Sequence, residues 1–328
     1  MRDPQSDGRR RRIVLGLGAA LAASPLPRAW AAEEFPSRPI SMVVPFPPGG
    51  GFDTIARPFA ERLGQLLGRA VVVDNRPGSG GNMGTDFVAR APADGHTLLF
   101  ANDYLATNPS VNRNTRFDPL KDFAPVSMVG STQVVMAVRP DFPARNFEEL
   151  VALSKKRSLS YGTPGAGTSP HLVGEYLSTI SPLQSLHVPY KGTAPAVNDA
   201  MGGQIDMVYA TSPSVASQIA AGRLRGIAVF GAQRSTQLPE VPTLKEIGGP
   251  SVDYEVWYCL LAPAGVPPSV LATIRAATRK ALDADLAARL ARLGYAVRSS
   301  EPEAVTQAIR QGLERWKDVV ARAKIAID

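Results

Sequence analysis

One cysteine stands in 328 residues, so the chain cannot close a disulfide on itself. Cys259 lies in Val256-Trp257-Tyr258-Cys259-Leu260-Leu261, which reads as a buried strand where a thiol packs as a small hydrophobe. Histidine is nearly as scarce: His96, His171 and His187 are all there is. A catalytic triad therefore has few candidate bases, and no Gly-x-Ser-x-Gly elbow accompanies them. Metal-ligand spacings of His and Cys are missing. No Gly-Lys-Ser/Thr ending closes a glycine loop, which excludes a phosphate-binding P-loop, and Gly80-Gly81-Asn82-Met83-Gly84 lacks the dinucleotide spacing. Past the first thirty positions no run of about 18 apolar residues occurs, so the body should be soluble. These gaps lead us to expect no enzyme, no cofactor and no metal, with an exported hydrolase kept as a minor alternative.

What the N-terminus does contain is an export pattern. Arg9-Arg10-Arg11-Arg12 precede an apolar run from Ile13 to Ala23, and Ala29-Trp30-Ala31 has the small-x-small form of a signal-peptidase site. The paired arginines also permit a twin-arginine route. The run is too short to span a bilayer, and no Cys follows it to carry a lipid. Residues 1–31 hold six arginines against two aspartates, a net of +4, so the whole-chain +7 falls to +3 once they are removed. The remaining basic residues are scattered, and a nucleic-acid partner is rejected. The expected mature protein starts near Ala32 and is exported.

Behind the leader, short apolar runs alternate with helix-like periodicity, which predicts a largely parallel sheet with crossover helices. Ile40–Val44, Ala70–Val73 and Thr97–Phe100 read as strands, with helices over Thr54–Leu67 and Gly84–Ala91. Pro58 must fall in the first turn of its helix or kink it. Two long β-rich runs, Val126–Val138 and Val252–Ala262, bracket a second α/β block. Two such strands joining two lobes would make a double-crossing hinge. The division expected is residues 1–31 as signal peptide, 32–132 with 256–328 as one lobe, and 133–255 as the other. From Pro267 the chain reads as helix over Val270–Leu282, Leu286–Leu293 and Pro302–Ala323.

Three glycine-rich loops sit at strand ends: Pro45 to Asp53, Asn75 to Gly84, and Gly162 to His171. A strand, a glycine loop and a helix start together present unpaired backbone N–H groups, which bind anions without a catalytic residue. In open α/β sheets such strand ends gather into one cleft.

The residues together carry a family resemblance. Phe35-Pro-x-Arg-Pro-Ile40, Val43-Val-Pro-Phe-x-Pro-Gly-Gly-Gly-x-Asp53, Val71-Val-Val-Asp-Asn-Arg-Pro-Gly78 and Gly80-Gly-Asn-x-Gly84 open the match. It continues through Asp94-Gly-x-Thr-Leu98, Asp118-Pro-Leu-Lys-Asp-Phe-Ala-Pro-Val126, Gly165-x-Gly-x-x-x-His-Leu172, Val188-Pro-Tyr-Lys-Gly192, Gly202-Gly-Gln-x-Asp206, Leu238-Pro-x-Val-Pro-Thr243 and Leu261-Ala-Pro-Ala-Gly265. The mature chain thus resembles, over essentially its whole length, the substrate-binding proteins of tripartite tricarboxylate transporters, also called Bug proteins. The resemblance implies an α/β, two-lobed periplasmic binding protein of the Venus-flytrap kind. It would capture a small carboxylate between its lobes and deliver it, as a monomer, to the transporter's membrane permease subunits. A sensor that reports to a signalling partner needs only the same ligand-dependent closure, and stays open as an alternative.

The same resemblance points to ligand-binding residues: Phe46, Gly49, Gly50, Gly51 and Asp53 in the first loop, and Gly80, Gly81 and Asn82 in the second. The other lobe would add Thr163, Gly165, Gly167, Thr168, Ser169 and His171, with Tyr190. Asp53 also reads as an N-cap, His171 as a ring packed at a helix start, and Lys191 as a solvated side chain. Many relatives carry an acid or amide after the Gly-Gly-Gln-x-Asp strand. Here the stretch is Tyr209-Ala-Thr-Ser-Pro-Ser214, hydroxyls without a carboxylate. Donors of this kind suit carboxylate oxygens, so the expected ligand is an organic acid without an amino group.

Overall fold

In the computed structural model, which describes residues 35–112 and 114–323, Ile-Ser-Met-Val-Val forms the first strand, β1 (Ile40–Val44). The expected signal peptide, 1–31, and the expected start near Ala32 lie outside those residues. All of β1 except Ser41 is buried, as a strand covered on both faces of a parallel sheet must be. It pairs in parallel with β2 (Val71–Asn75) and β3 (Thr97–Asn102). Between β1 and β2 runs α1 (Gly51–Leu67), which buries Phe52, Ile55, Phe59 and Leu63 along one face. It stops at Gly68, whose φ of 68° is left-handed and costs a glycine nothing.

The expected start of that helix needs correction. α1 begins at Gly51 with Gly50 as its N-cap, so Asp53 is the third helical residue and not the cap. Pro58 consequently lies inside the helix rather than in its first turn, and removes one i→i−4 hydrogen bond from the ladder.

After α2 (Asn82–Ala89), β3 and α3 (Tyr104–Val111), the chain enters β4 (Phe123–Val138), the strand on which both halves are built. From Phe123 to Gln133 it pairs antiparallel with β9 (Glu255–Pro263), and from Val134 to Val138 with β7 (Met207–Thr211) on one side and β8 (Arg225–Phe230) on the other. The partners change at Gln133/Val134. The second lobe continues through α4 (Phe147–Lys156), β5 (Leu159–Thr163), α5 (Ser169–Ile180), β6 (Ser185–Pro189), α6 (Thr193–Met201) and α7 (Ser212–Ala220). Its β6 and β7 flank β5 in parallel. The chain returns through Tyr254 into β9, then forms α8 (Pro268–Ala281), α9 (Ala284–Arg292), the short β10 (Ala296–Val297) beside β4, and α10 (Pro302–Ala323).

The sheet order β2-β1-β3-β9-β4-β7-β5-β6 therefore places three parallel strands at each end and antiparallel strands at the junction. This is the α/β, two-lobed binding-protein fold. Alternation along β4 divides its side chains between two cores: Val134, Met136 and Val138 join the larger one, Val135 and Ala137 the smaller one on the opposite face. α10 packs against α3 of the first lobe, α5 of the second and β4 itself.

Candidate functional site

The first glycine loop is held from inside. Phe46 stacks on Phe52 with ring centroids 4.5 Å apart and meets Tyr104 edge-on at 5.5 Å. Gly49, at φ 78°, turns its N–H onto Asp53 Oδ2 at 3.1 Å. Arg57 Nε donates to the same oxygen at 2.6 Å, and Asn75 Nδ2 donates to Asp53 Oδ1 at 3.2 Å. Burial pushes this carboxyl up, but the Arg57, Gly49 and Asn75 hydrogen bonds outweigh it and hold it below the ordinary carboxylate range. Asp53 thus fastens the loop to the helix behind it. Gly50 is exposed and Gly51 half-buried, and the first-turn N–H groups of α1 precede the ladder that starts with Thr54 N–H on the Gly50 carbonyl.

The second loop leans on the first. Gly81 has φ 99°, and a Cβ there would lie 3.2 Å from a Tyr104 ring carbon and 3.3 Å from one of Phe46. The loop is pinned by Asn108 of α3, which donates from Nδ2 to the Gly80 carbonyl at 2.9 Å and to Asn82 Oδ1 at 2.8 Å. Asn82 in turn donates to Thr115 Oγ1 at 3.2 Å. Its amide is therefore engaged within the first lobe.

In the second lobe, Gly165 and Gly167 adopt φ values of 158° and 74° between β5 and α5. Thr163 is fully buried, with its hydroxyl 2.6 Å from His187 Nε2. Thr168 is the N-cap of α5, and its Oγ1 donates back to the Gly165 carbonyl at 2.7 Å. His171 accepts the Gly167 N–H on Nδ1 at 2.9 Å, and its ring stacks on His187 at 3.7 Å. Burial disfavours the imidazolium of both: His171, beside the second ring, is pulled down to about 3 and His187 to about 4. His171 is a neutral ring that shapes the loop from beneath. Tyr190 donates its hydroxyl to Asp199 at 2.7 Å and lays its ring against Gly162, while Lys191 is exposed.

Across the junction the two sets of loops touch. Ser169 donates to Asp103 Oδ1 at 2.7 Å, and Thr107 Oγ1 reaches the Gly167 carbonyl at 3.4 Å. A methyl group on Gly51 would lie 3.6 Å from Thr211 Oγ1 and 3.9 Å from Ser214 Oγ, two hydroxyls themselves 2.9 Å apart. The starts of α1 and α7 therefore face each other across the junction, while the start of α5 meets Asp103 and Thr107 at the start of α3.

Of the expected residues, the structure sets Gly81 against Phe46 and Tyr104, Gly51 opposite Thr211 and Ser214, the Gly167 carbonyl near Thr107 and Ser169 on Asp103. Sequence reasoning missed Asp103, Thr107, Asn108 and Tyr254. Asn102-Asp103 at the end of an apolar strand was the available signal, since Asn and Asp commonly open helices. A surface groove of about 460 Å³ lined by Ala60, Glu61, Gly64, Arg69 and Val71 lies behind α1 and shares no residue with these loops.

Comparison with known proteins supplies the remaining findings. Residues 55–325 match the family described as tripartite tricarboxylate transporter family receptor. A protein from the tcbD–tcbE intergenic region of Pseudomonas sp. (strain P51) is 37% identical over 96% of this chain and 95% of its own length. The periplasmic binding protein BugD superposes with a TM-score of 0.81 at 34% identity, covering 89% of this chain and 99% of its own. Rpa4515 of R. palustris, solved with adipate, superposes with a TM-score of 0.83 at 30% identity, over 89% and 99%. Among the described residues no helix is long and apolar enough to cross a membrane, and no metal-binding group of side chains occurs.

Proposed function

Because this chain belongs to the tripartite tricarboxylate transporter receptor family, we propose that it is an exported solute receptor that closes its two lobes on a small organic acid and passes that acid to the membrane permease subunits of such a transporter. Receptors of this family are periplasmic solute-binding proteins. Residues 1–31 would direct export. The first lobe would comprise 32–132 and 256–328, the second 133–255, hinged where β4 exchanges partners.

The observation that carries this reading is the meeting of the α1 and α7 N-termini across the junction, with Thr211 and Ser214 facing Gly51. Each exposed helix start favours a negative charge by about 0.3–1 kcal/mol. Backbone groups of Gly49, Gly50, Gly51, Gly80, Gly81, Gly165 and Gly167, with Phe46, Thr168 and Ser169, would line the ligand. Asp53, Asn82, Thr163, His171 and Tyr190 would act by holding those loops. Two carboxylates by the junction, Asp53 and Asp103, are each occupied by protein donors. A ligand ammonium would find no free anionic partner in them, and a desolvated cation without one is costly. The ligand class proposed is therefore a carboxylic acid without an amino group. The adipate seen in the R. palustris neighbour fits this class.

The test is a thermal-shift screen of mono-, di- and tricarboxylates and amino acids, followed by calorimetry, since a ligand that binds only the native state raises apparent stability. An amino-free acid should bind tightly. Tight binding of an amino acid with no response to its deaminated analogue would overturn the proposal.

A further inference from the structure

Asp103 is a buried carboxyl, 2% exposed, that the proposed ligand site does not use. It lies at the end of β3, immediately before α3 in the first lobe. Its Oδ1 accepts from Ser169 Oγ, the first residue of α5 in the second lobe, at 2.7 Å, and its Oδ2 accepts from the hydroxyl of Tyr254. Tyr254 sits on the segment returning between the lobes into β9. One side chain therefore ties together the first lobe, the second lobe and the connection between them.

Apart from Glu175 of α5, the groups around Asp103 are neutral. On β9, burial pushes Tyr258 and Cys259 up, and the Asp103 charge adds to that. α3 carries no charged residue, and the Tyr104 hydroxyl is engaged with Thr85 at 2.6 Å. α5 supplies His171, held neutral, and Glu175, whose Oε1 accepts from Tyr161. α10 packs Trp316 edge-on against Tyr254 at 5.2 Å, while its Glu303, Arg310, Glu314, Arg315 and Lys317 are exposed. Among the described residues no ion pair reaches Asp103. Burial accordingly pushes its carboxyl up to about 7, against hydrogen bonding from Ser169.

We propose that Asp103 is an interlobe latch that takes up one proton as the lobes close over it, so that closure strengthens as the pH falls. The proposal rests on the two-lobe closure reading above. On closing, the carboxylate leaves water, gains a solvent proton on one oxygen and exchanges hydrogen bonds with the Ser169 and Tyr254 hydroxyls, which accept as well as donate. In an opened form, with Ser169 withdrawn and water admitted, the carboxyl returns to the ordinary range. Between the two values the closed form binds a proton that the open form does not. Linkage then sets the sign: the closing constant rises as pH falls from about 7 toward 4, by at most about tenfold per pH unit for one proton. Above pH 7 the closed form carries the full cost of a desolvated charge.

The experiment measures the interlobe distance in the ligand-free full chain with spin labels at Val72→Cys in β2 and Leu186→Cys in β6. Both positions are more than half exposed, and native Cys259 is fully buried. From pH 8 to 5.5 the closed fraction should rise. Asp103→Asn, which has no proton to take up, should flatten the profile, and Ser169→Ala should lower the closed fraction. His171 and His187 titrate below this window, and His96 precedes β3 at the end opposite Asp103. A pH profile retained in Asp103→Asn overturns the latch. So does a native distance that ignores pH yet shortens with adipate or another acid from acetate to citrate. Loss of amino-acid binding alone in Asp103→Asn, at unchanged distances, would make the carboxyl a ligand anchor instead. If neither pH nor any acid moves the labels, the closure reading fails and the latch fails with it.

Discussion

Gly51 measures how close the two lobes come. Its φ is not left-handed, so the backbone accepts a side chain, and the constraint is space alone. A Cβ would meet Tyr295 Oη at 3.2 Å, and the second lobe's hydroxyls only at ordinary contact. Gly51→Ala should thus disturb binding little, whereas the added methyls of Gly51→Val run into Thr211 and Ser214 as the lobes close. Overpacking of this kind costs about 1–3 kcal/mol, so calorimetry with the best acid from the screen should show affinity reduced roughly tenfold or more. Equal affinity in Gly51→Val would remove Gly51 from the closing surface. Asp53 makes a different prediction. Its lowered folded value means that its stability contribution is fully present above the ordinary carboxylate range near pH 4 and is lost as pH falls through the folded value. Asp53→Asn should therefore melt lower than the native chain at pH 7, by about 1–3 kcal/mol, and the gap should close toward pH 2. The glycines of this site were legible in the sequence because their spacing demanded turns. The role of Asp53 was not, since a helix beginning at Gly51 moves it from cap to third position. Asp103 carries no motif at all; what matters about it is a partner at Ser169 that only the tertiary fold supplies.

Helices and strands with one-sided burial were readable, and those buried all round were less so. α9, with Leu286 and Leu290 inward and arginines outward, was read to within two residues at its start. α3 was not read as a helix: its residues Tyr104 to Asn108 and Val111 are buried, so its apolar and polar positions show no 3.6-residue period, and Pro109 argues against a helix. α4 starts on an Asn146/Glu149 capping box, with Glu149 N–H on Asn146 Oδ1 at 2.9 Å, a local signal that was passed over. The pairing of α5 with β6 gives the element-scale prediction. His171 and His187 stay neutral in the fold, while in the unfolded chain each binds a proton below about pH 6.5. Stability should fall as pH drops from 6.5 toward 4, by up to about 1.4 kcal/mol per pH unit for each imidazole. Asp103 works the other way in this window, offsetting one of the two protons. The His171→Phe/His187→Phe double variant, though less stable at pH 7.5, should then gain stability on acidification. Denaturant melts at pH 7.5, 6 and 5 decide the matter; a native-like slope in the double variant would place the acid sensitivity elsewhere.

For the molecule as a whole, β4 and α10 are the elements that span the junction. β4 is continuous through the exchange of partners at Gln133/Val134, with register shifts at Pro125/Ser127, Met128/Gly130 and Met136/Ala137 that leave it locally irregular on both sides. Such bulges bend and twist a strand, which suits a hinge better than an unbroken ladder would. α10 lies over the same junction, with Gly312 close against Ala106 of α3 and Trp316 against Tyr254. The two long β-rich runs were visible in the sequence as strands, and the structure pairs them as β4 and β9; the strap formed by α10 was not, because helical spacing shows that a face is buried and never what covers it. Closure should therefore be a rotation about β4 with α10 riding over the junction. Small-angle scattering with saturating ligand should give a smaller radius of gyration than the ligand-free chain. Gly312→Leu, whose side chain would press on Ala106 at a position where even a Cβ comes within 2.5 Å, should lift α10 and weaken that compaction while leaving each lobe's own sheet intact. An unchanged scattering profile at saturating ligand would indicate a rigid receptor, in which affinity arises from the preformed junction and the partner exchange in β4 serves only to connect two fixed halves.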